Sequence, residues 1–429
     1  MKPNTTPFDF PVDFQSDEDA AEAIRIIDRL REAGFIAYFA GGCVRDALLG
    51  NKPKDYDIAT DAVPDAIQTV FGKRQTLAFG ASFGVIGVLP SKERRQRAAI
   101  PLQPIEVATF RSDGTYTDGR RPDSVHFGTA EADAVRRDFT INGLFYDPTE
   151  AIIVDYVSGT EDLDKKILRT IGSPNQRFDE DKLRMLRAVR FTTTLGFSIA
   201  PSTAAAIREN AAKIDSVSSE RVGVEMRRTM MSENVLDGID HLTSLALGSH
   251  VLPEIEDINS EQFHRLFAIK KSRPFVVALA GFLFATKHPR KHLKAITRRW
   301  RLSNVEVRQV DSAIRFAPII AEADQRAWSQ IQPILIDRDA NIILEVSRMI
   351  AGTNNKGVAL STEALRWSNE RLDPQPLIGG SDLASQGIPK GPAYAKILKQ
   401  IRDLQLDNKL HSKDEALKYA AKIHKTDQP

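Results

Sequence analysis

Two aspartates that flank a single tyrosine, Asp55 and Asp57 in the segment KDYDIAT, are the first residues whose spacing suggests chemistry. On a β-strand, alternate side chains point to opposite faces, so the two carboxylates would share one face while Tyr56 and Ile58 point into the core. Carboxylates about 6–7 Å apart repel each other unless a cation lies between them. The pair could therefore hold two Mg²⁺ ions, and the alternative is a solvated strand end.

A double glycine, Gly41 and Gly42, stands directly before a short predicted helix, VRDALLG, that Gly50 closes. Glycines let a phosphate approach the backbone, and a helix N-terminus offers free N–H groups and a positive dipole. Arg45, in the first turn, could reach a triphosphate. A double glycine alone is a weak signal, but with Arg45 and the aspartate pair ten residues later it predicts a nucleotide-phosphate site.

A third carboxylate is expected from another strand. Glu106 is the only acid in the apolar segment PIEVATFR (104–111), and a buried, unpaired carboxylate is costly, so it would need a partner such as a metal ion. The alternative is a glutamate at the rim of the sheet.

Two arginines and an aspartate open the segment RRDFTINGLFYDP (136–148), which otherwise reads as a strand. Arg136 or Arg137 could bind phosphate through its guanidinium, and Asp138 could hold a sugar or position an arginine. A structural salt bridge is the alternative.

The segment FDEDKLRMLRAVRF (178–191) has the periodicity of an amphipathic helix. Its apolar stripe consists of Leu183, Met185, Leu186 and Val189, and its opposite arc consists of Glu180, Asp181, Arg184 and Arg187. Asp181 and Arg184 are three residues apart and would be neighbours. A carboxylate and a guanidinium on one face could hydrogen-bond the edge of a base and so select a nucleotide, or they could only decorate the helix.

The elements that must position these residues fall into two parts. The first ~155 residues mix strands with helices, which indicates an α/β or α+β domain, whereas periodic helices at 179–195, 203–213, 219–231, 261–285 and 291–315 predict an all-α remainder. A helix over 18–33 is expected to end at Gly34, and the first ~15 residues are expected to form a loose leader.

The composition is that of a folded protein with several domains. Of its 429 residues, 42% are hydrophobic, and the net charge is only +2, so basic residues would have to cluster locally to bind nucleic acid. Cys43 is the single cysteine, which excludes an internal disulfide and fits a reducing cytoplasm. The N-terminus lacks a signal-peptide pattern, and the apolar run at 274–286 is too short to cross a bilayer, so a soluble cytoplasmic protein without membrane partners is expected.

In this order, the motifs resemble those of the class II tRNA nucleotidyltransferases and bacterial poly(A) polymerases. They read GGCVRDALLG…DYD, IEVATFRSDGTYTDGRRP, RRDFTIN, EDKLRMLRAVRF and SSERVGVEMRR, and they cover roughly residues 36–230. The later stretch PLIGGSDLASQGIPKGP is similar to the tail of longer members. Gly143 departs from the alanine usual after RRDFTIN, and no His–Asp pair suggests the phosphohydrolase domain that some members carry.

The resemblance implies an α+β fold with a polymerase-beta-like nucleotidyltransferase head built on a mixed sheet, followed by an all-α neck, body and tail. The expected boundaries are 1–20 for the leader, 21–157 for the head, 158–215 for the neck, 216–340 for the body and 341–429 for the tail.

The resemblance also implies a role for each candidate residue. Asp55 and Asp57 would be catalytic and bind the metal ions, and Glu106 would complete that site. The nucleotide would be bound by Gly41, Gly42, Arg45, Arg136, Asp138, Asp181, Arg184, Arg187 and Arg190, among which Asp181 and Arg184 would read the base.

The activity implied is addition of CCA to tRNA 3′ ends from CTP and ATP, with two Mg²⁺ ions and with the tRNA 3′ end and acceptor stem as the partner. Alternatives are CC addition, A addition, poly(A) synthesis and a non-catalytic RNA-binding relic. No obligatory protein partner is evident, and a mononucleotide kinase is excluded because no GxxxxGK[ST] loop is present.

Two basic stretches are candidates for RNA contacts. KHPRKHLKAITRRWRL (287–302) carries seven Lys or Arg residues, no acid, and Trp300, so it could bind the phosphate backbone or be a solvated face. LPSKERRQRAAIPLQP (89–104) interrupts two head strands and could be a mobile loop or an RNA contact, and its basic part spans 91–97.

Overall fold

The computed structural model describes residues 2–14, 16–97, 102–116, 119 and 122–426. The chain divides into two compact units. Unit 1 contains Met1–Thr229 and Asp237–Pro253, and unit 2 contains Met230–Leu236 and Glu254–Pro429. Each unit is described separately below.

The strands lie in unit 1. In chain order they are β1 (Asn4–Pro7), β2 (Ala37–Ala40), β3 (Ile58–Thr60), β4 (Thr76–Gly80), β5 (Val85–Val88), β6 (Ile105–Thr109), β7 (Arg111–Asp113), β8 (Val125–Phe127), β9 (Leu144–Asp147), β10 (Ile152–Asp155), β11 (Ile167–Leu168) and β12 (Ser198–Ile199). Among the described residues, eight of them form one mixed sheet in the order β1-β10-β9-β2-β3-β6-β5-β4. The β7–β8 hairpin and the short parallel β11–β12 pair stand apart from it.

Only the pairing of β3 with β6 is parallel within the described sheet, and every other pair is antiparallel. Ile58 pairs with Val107 there, and both side chains are buried. Because side chains alternate along a strand, Asp57 and Glu106, one residue earlier on each strand, lie level with each other on the other face. This register brings two distant parts of the sequence to one edge of the site.

The helices of unit 1 cover the sheet and then continue the chain beyond it. They are α1 (Glu18–Glu32), α2 (Gly42–Leu48), α3 (Pro64–Phe71), α4 (Lys92–Arg97), α5 (Ala130–Val135), α6 (Gly159–Asp164), α7 (Pro174–Glu180), α8 (Leu183–Leu195), α9 (Pro201–Asn210), α10 (Ser219–Met231), α11 (Val235–Ser244) and α12 (Gly248–Val251). The last residues of α10 and the first of α11 belong to unit 2. In α1, the Asp17 carboxylate caps the first turn, and Gly34 with φ 89° follows its end, as predicted.

The N-terminal segment is not the loose leader that its prolines suggested. β1 pairs with β10 along four residues, and the rings of Phe10 and Phe14 lie 5.7 and 5.9 Å from the ring of Phe39. The sequence signal was misleading because Pro7 lies in an edge strand, where a missing N–H costs no ladder hydrogen bond, and Pro3 and Pro11 lie outside β1. Aromatic packing then fixes the segment on the sheet.

Unit 2 is helical throughout its described residues. Its helices are α13 (Ser260–Phe267), α14 (Phe275–Phe284), α15 (Pro289–Trp300), α16 (Asn304–Ala321), α17 (Trp328–Leu335), α18 (Ala340–Ala351), α19 (Lys356–Ala364), α20 (Asn369–Leu372), α21 (Gly380–Ser385), α22 (Pro392–Leu406) and α23 (Lys413–Thr426). One core cluster is centred on Ile320, Ile331 and Ile343, and another is centred on Leu383, Ile397 and Ala416. The all-α remainder predicted from periodicity is thus confirmed, apart from the two-residue strands β11 and β12.

Short 3-10 helices connect several elements at Lys73–Gln75, Ala81–Phe83, Thr140–Asn142, Ala211–Ser216, Pro253–Asp257 and Ala323–Gln325. The apolar run at 274–286 forms the buried helix α14. In the part of the chain that the structure describes, no helix combines the length and the apolarity that crossing a membrane requires.

The turn between β10 and α6 is so tightly packed that a small substitution should test it. The Asp155 carboxylate accepts hydrogen bonds from the backbone N–H groups of Val157, Gly159 and Thr160. A Cβ atom at Gly159 would lie 2.2 Å from the backbone oxygen of Thr140, which cannot move easily. We expect Gly159→Ala to lower the free energy of unfolding by about 1–3 kcal/mol, measured by denaturant titration. Gly128→Ala, where the nearest atoms lie 4.0 Å away, is the matched control, and equal stabilities would contradict the packing argument.

Candidate active site

One cleft in unit 1, of about 600 Å³, brings together the predicted site residues with the exception of Glu106. They are Gly41, Gly42, Arg45, Asp55, Asp57, Arg136, Asp138, Asp181, Arg184, Arg187 and Arg190. Glu106 lines an adjoining cavity, which it shares with Asp55 and Asp57. Residues separated by more than a hundred positions in sequence therefore meet at one place.

The acid pair lies in the extended segment that leads into β3, because the strand itself begins only at Ile58. The predicted alternation nevertheless holds. Asp55 and Asp57 are exposed, whereas Tyr56 is 4% exposed and its ring lies 5.5 Å from that of Phe39. The buried tyrosine thus anchors the segment and directs both carboxylates toward the cleft.

Glu106 lies on β6 as predicted, but it is exposed, so the argument from a buried, unpaired carboxylate was wrong. The strand presents its alternate residues Val107 and Thr109 to the core instead. Glu106 acts on the site through its charge. Together with the surrounding protein and with Asp55, it raises the pKa of Asp57 to about 6.

Although Asp57 is exposed as a whole, the first cause of this pKa shift is loss of hydration where the surrounding protein crowds its carboxylate. The negative charges of Asp55 and Glu106 come next, and the Arg137 guanidinium offsets them in part. Among the described residues, no group of three or more His, Cys, Asp or Glu side chains is placed to enclose a metal ion. Mg²⁺, however, commonly binds one or two carboxylates together with nucleotide phosphates and water. Asp55 and Asp57 offer the oxygen donors that such a site needs.

The double glycine stands at the start of α2, as predicted. Gly41 is the N-cap residue with φ 69°, and a Cβ atom there would lie 2.7 Å from Nη1 of Arg137. Arg45 donates to Oδ1 of Asp46 and, at 2.7 Å, to Oδ1 of Asn142. The backbone and the two guanidinium groups thus form one wall of the cleft.

Asp133 holds the two arginines of the RRD motif, and sequence reasoning did not single it out. This carboxylate is 1% exposed and accepts from Nε of Arg136 at 3.0 Å and from Nη2 of Arg137 at 2.9 Å. Burial opposes ionisation, but the two guanidinium groups lower the pKa of Asp133. The spacing of three and four residues on α5 could have revealed this contact.

Asp138 positions an arginine, which was one of the two roles considered for it. Its Oδ2 accepts from Arg187, with Nε at 2.7 Å, and its Oδ1 accepts from Nδ2 of Asn142 at 3.0 Å. Although burial alone would raise the pKa of Asp138, Arg187 and Asn142 bring it to about 2. The carboxylate therefore stays ionised and fixes α8 against the RRD segment.

The helix that carries the proposed base-reading residues is interrupted, contrary to the single helix predicted. α7 ends at Glu180 and α8 begins at Leu183, and Asp181 between them has extended φ and ψ of −150° and 105°. Its Oδ1 accepts from the backbone N–H of Leu183 at 3.0 Å and so caps α8. The predicted apolar stripe did not reveal this break, because Leu183, Met185, Leu186 and Val189 all lie on α8, after it.

Asp181 and Arg184 contact each other through the backbone, where the N–H of Arg184 donates to the carbonyl oxygen of Asp181 at 3.1 Å, but their side chains bind different partners. Asp181 forms an ion pair with Arg221 of α10, with Nη2 at 2.7 Å from Oδ2. Arg184 donates from Nη1 to Glu180 at 2.6 Å. Both side chains line the cleft, each held by a different partner.

Arg190, at the border of the apolar stripe, lines the cleft although it is only 9% exposed. Its Nε donates to Oε2 of Glu225 at 2.5 Å, and its guanidinium carbon lies 3.8 Å from the ring centroid of Phe191. Burial lowers the pKa of Arg190 to about 10, so it is still cationic at neutral pH. Phe191 also faces the guanidinium groups of Arg45 and Arg187, at 5.1 and 5.2 Å.

Several lining residues had no assigned role from the sequence, namely Asp46, Asn142, Leu183, Phe191, Arg221 and Arg228. In total, eight arginines and five aspartates line the cleft. The cleft thus combines many guanidinium groups with the acid pair Asp55 and Asp57, a composition that suits a polyphosphate beside a cation. The motif YTDGRRP (116–122) falls partly outside the described residues.

The basic stretch 287–302 forms α15 and its flanks in unit 2. Lys291, Lys294 and Arg298 are exposed, whereas Arg299 is bound to Glu254 at 2.8 Å. Trp300 is fully buried, so it is a core residue and does not stand among the surface cations. The basic part 91–97 of the other stretch forms α4 in unit 1, and residues 98–101 lie outside the described part.

Three family models match the chain in succession. "Poly A polymerase head domain" matches residues 37–169, "Probable RNA and SrmB- binding site of polymerase A" matches residues 196–259, and tRNA nucleotidyltransferase domain 2 matches residues 276–421. Together they cover most of both units.

Relatives match the chain over most of its length. The CCA-adding enzyme of Lactococcus lactis subsp. cremoris (strain MG1363) is 30% identical over 414 residues, which are 93% of this chain and 95% of the relative. That of Geobacillus thermodenitrificans is 35% identical over 332 residues, 76% of this chain and 77% of the relative. The solved Bacillus stearothermophilus CCA-adding enzyme in complex with CTP has a TM-score of 0.73 at 25% identity and covers 95% of this chain and 98% of that one.

The raised pKa of Asp57 predicts a stability effect. A carboxyl whose pKa rises from 3.8 to about 6 on folding stabilises the fold while protonated, and this contribution is lost as the pH rises through 6. Solvent in the open cleft screens the effect to roughly 1 kcal/mol. We therefore expect Asp57→Asn to raise the Tm by about 2–4 °C at pH 7.5 without divalent cations, and not at pH 4, by calorimetry.

The matched control for this change is Asp28→Asn, which removes an exposed carboxylate on α1. It should leave the Tm unchanged at both pH values. A lower Tm for Asp57→Asn at pH 7.5 would contradict the assigned electrostatic penalty.

Proposed function

The chain belongs to the family of class II tRNA nucleotidyltransferases and bacterial poly(A) polymerases, and on that premise we propose that it adds CCA to tRNA 3′ ends from CTP and ATP. The observation that carries the proposal is the cleft of unit 1, where an acid pair faces an array of arginines. Acids bind cations, and arginines bind phosphates in a forked geometry, so the cleft offers what a nucleoside triphosphate requires. The curated relatives that match most of the chain are CCA-adding enzymes.

Asp55 and Asp57 would hold Mg²⁺, with Glu106 completing the negative site. The donor set fits, because the ligands are carboxylate oxygens and because the negative charges of Asp55 and Glu106 add to burial in raising the pKa of Asp57. Bound Mg²⁺ would lower the pKa of the attacking hydroxyl and neutralise charge on the leaving phosphates.

The reaction is a displacement at the α-phosphorus of the nucleotide. The 3′-oxygen of the RNA bonds to the α-phosphorus while the bond from that atom to the bridging oxygen of the β-phosphate breaks. Pyrophosphate leaves with the electron pair, and the hydroxyl proton passes to water. Arg45 and Arg136, which both line the cleft, bind the triphosphate, and Asp138 holds the Arg187 guanidinium in place through a hydrogen bond.

Asp181 and Arg184 select the base by hydrogen bonds to its pairing edge. In the structure their partners are Arg221 and Glu180, so a nucleotide must replace these protein contacts. Arginine donates and aspartate accepts, and together they can match the acceptors and donors of cytosine or adenine. The nucleotide is thereby chosen without a template strand.

The first test of the proposal is nucleotide incorporation. We would offer the protein three tRNA transcripts, ending at the discriminator base, at C and at CC, with Mg²⁺ and with CTP and ATP separately and together. The first transcript should gain three nucleotides and no more. Asp55→Asn should reduce the rate at least 10³-fold because a metal ligand is lost, and Asp28→Asn should not.

The other outcomes of this assay identify the alternatives. Long A tails on a poly(A)-primed RNA would indicate a poly(A) polymerase. Addition of C residues alone would indicate CC addition, and labelling of only the CC-ended tRNA by ATP would indicate A addition. Absence of incorporation on every RNA would overturn the proposal in favour of a non-catalytic RNA-binding protein.

The exposed cations of α15 in unit 2 are proposed to bind the tRNA backbone. Replacing Lys291, Lys294 and Arg298 by glutamine should weaken tRNA binding and reduce the slope of log Kd against log salt by about 2. The control replaces Arg315 and Arg326, which are ion-paired to acids one helical turn away. Filter binding over a range of salt concentrations measures the slope, and an unchanged slope in the triple variant would remove α15 from the RNA interface.

A further inference from the structure

A second cavity of about 590 Å³ adjoins the acid pair and shares only Asp55 and Asp57 with the arginine-lined cleft. Its other walls come from Phe79 of β4, Glu106 of β6 and Arg94 of α4. Its volume lies within the range of roughly 300–1,000 Å³ that ligand pockets have. The two cavities therefore meet at the proposed metal ligands and extend from them along different walls.

An exposed aromatic ring forms part of this second cavity. Phe79 is 59% exposed, at the irregular pairing between Leu77 and Gly80 where β4 bulges. A Cβ atom at Gly87 would lie 2.5 Å from its ring, so the ring rests directly on the backbone of β5. Gly87 pairs with Glu106 in the antiparallel ladder, and paired residues share a face. The ring thus lies beside the acidic site, with much of its surface open to solvent.

Two buried polar atoms in the wall of this cavity make no hydrogen bond among the described residues. The hydroxyl of Tyr56 is buried and makes no hydrogen bond within the described structure. Arg94 is tied to α1 through the carboxylates of Asp19 and Glu18, and its buried Nε lies 3.5 Å from Oε2 of Glu18 without forming a hydrogen bond. Buried polar atoms without partners are rare, and they suggest that a ligand supplies the missing partners.

The geometry of the displacement indicates which ligand fits the second cavity. In a phosphoryl displacement, the attacking and leaving oxygens lie roughly in line on opposite sides of the phosphorus. If the triphosphate lies against the arginines, the attacking hydroxyl must approach the metal ligands from the other side. The second cavity also begins at Asp55 and Asp57, but it is lined by residues of β4 and β6, whereas the arginine-lined cleft is lined by residues of α8.

We propose that the second cavity receives the 3′-terminal nucleoside of the RNA acceptor, with its base stacked on Phe79. This inference rests on the proposed function. Bases stack on exposed aromatic rings with little dependence on sequence, which suits an end that is a different nucleotide at each round of addition. A second triphosphate is disfavoured there, because the four acids that line the cavity outnumber its two bases, Lys54 and Arg94. Phe79 is thus a positioning residue for the acceptor.

A thermodynamic cycle between the ring and the terminal base tests the contact. The acceptor is an acceptor-stem minihelix whose last nucleotide carries either cytosine or only hydrogen at C1′, and incorporation of labelled nucleotide is followed at saturating CTP and ATP. In the wild type, loss of the base should raise the KM for RNA about tenfold. Phe79→Ala should raise the KM for the intact RNA about tenfold as well, with the KM for CTP unchanged.

In Phe79→Ala, removal of the terminal base should then change the KM for RNA less than twofold, because the stacking partner is already lost. Phe79→Tyr should behave as the wild type, since it keeps a stacking ring. Leu77→Ala, which truncates an exposed side chain of β4 outside the cavity, is the matched control. Tm values measured in parallel identify variants that are merely less stable.

Two results would overturn the inference. If base removal and Phe79→Ala raise the KM for RNA independently, so that the two factors multiply in the combined experiment, the ring does not contact the terminal base. The same conclusion follows if Phe79→Ala changes only kcat or Tm. If the wild type extends no RNA at all, the proposed function fails and the inference fails with it, whereas normal extension with independent effects refutes the inference alone.

Discussion

The parallel alignment of β3 with β6 is the constraint on which the site depends. It sets Asp57 level with Glu106, although α3, β4, β5 and α4 separate them in the chain. Because the side-chain period of a strand is two residues, a slip by one position would bury one of these carboxylates and expose a core residue such as Val107. The hydrophobic core therefore fixes the position of the acids, and the acids themselves repel each other.

A second level of order comes from carboxylates that hold the arginines. Without these partners, neighbouring guanidinium groups in the cleft would repel each other and turn toward solvent. Asp133 holds two of them, Asp138 holds Arg187, and Glu225 holds Arg190. Each of these acids is buried, so removal of one would leave an uncompensated buried charge. The positive wall of the cleft is thus pre-arranged by acids behind it.

The sequence predicted much of the architecture, because the signals involved are local. Apolar periodicity and caps located α1 and the helical part of the chain, although the segments predicted at 261–285 and 291–315 are each two helices. The alternation around Tyr56 indicated where Asp55 and Asp57 point. What it did not predict depends on contacts between distant residues. The break at Asp181 is stabilised by Arg221 from α10, and β1 requires its pairing with β10. The division into leader, head, neck, body and tail stays a prediction.

Under the proposed base-reading role of Asp181 and Arg184, their partners have a consequence for fidelity. Because each side chain is already satisfied by a protein group, a nucleotide gains only the difference between its own hydrogen bonds and the ion pairs it displaces. A base with one matching group breaks two contacts and restores one, so it is rejected by more than the bond it lacks. Arg221 and Glu180 then compete with every incoming base for the same two side chains, so the accuracy of selection depends partly on these ion pairs within the protein.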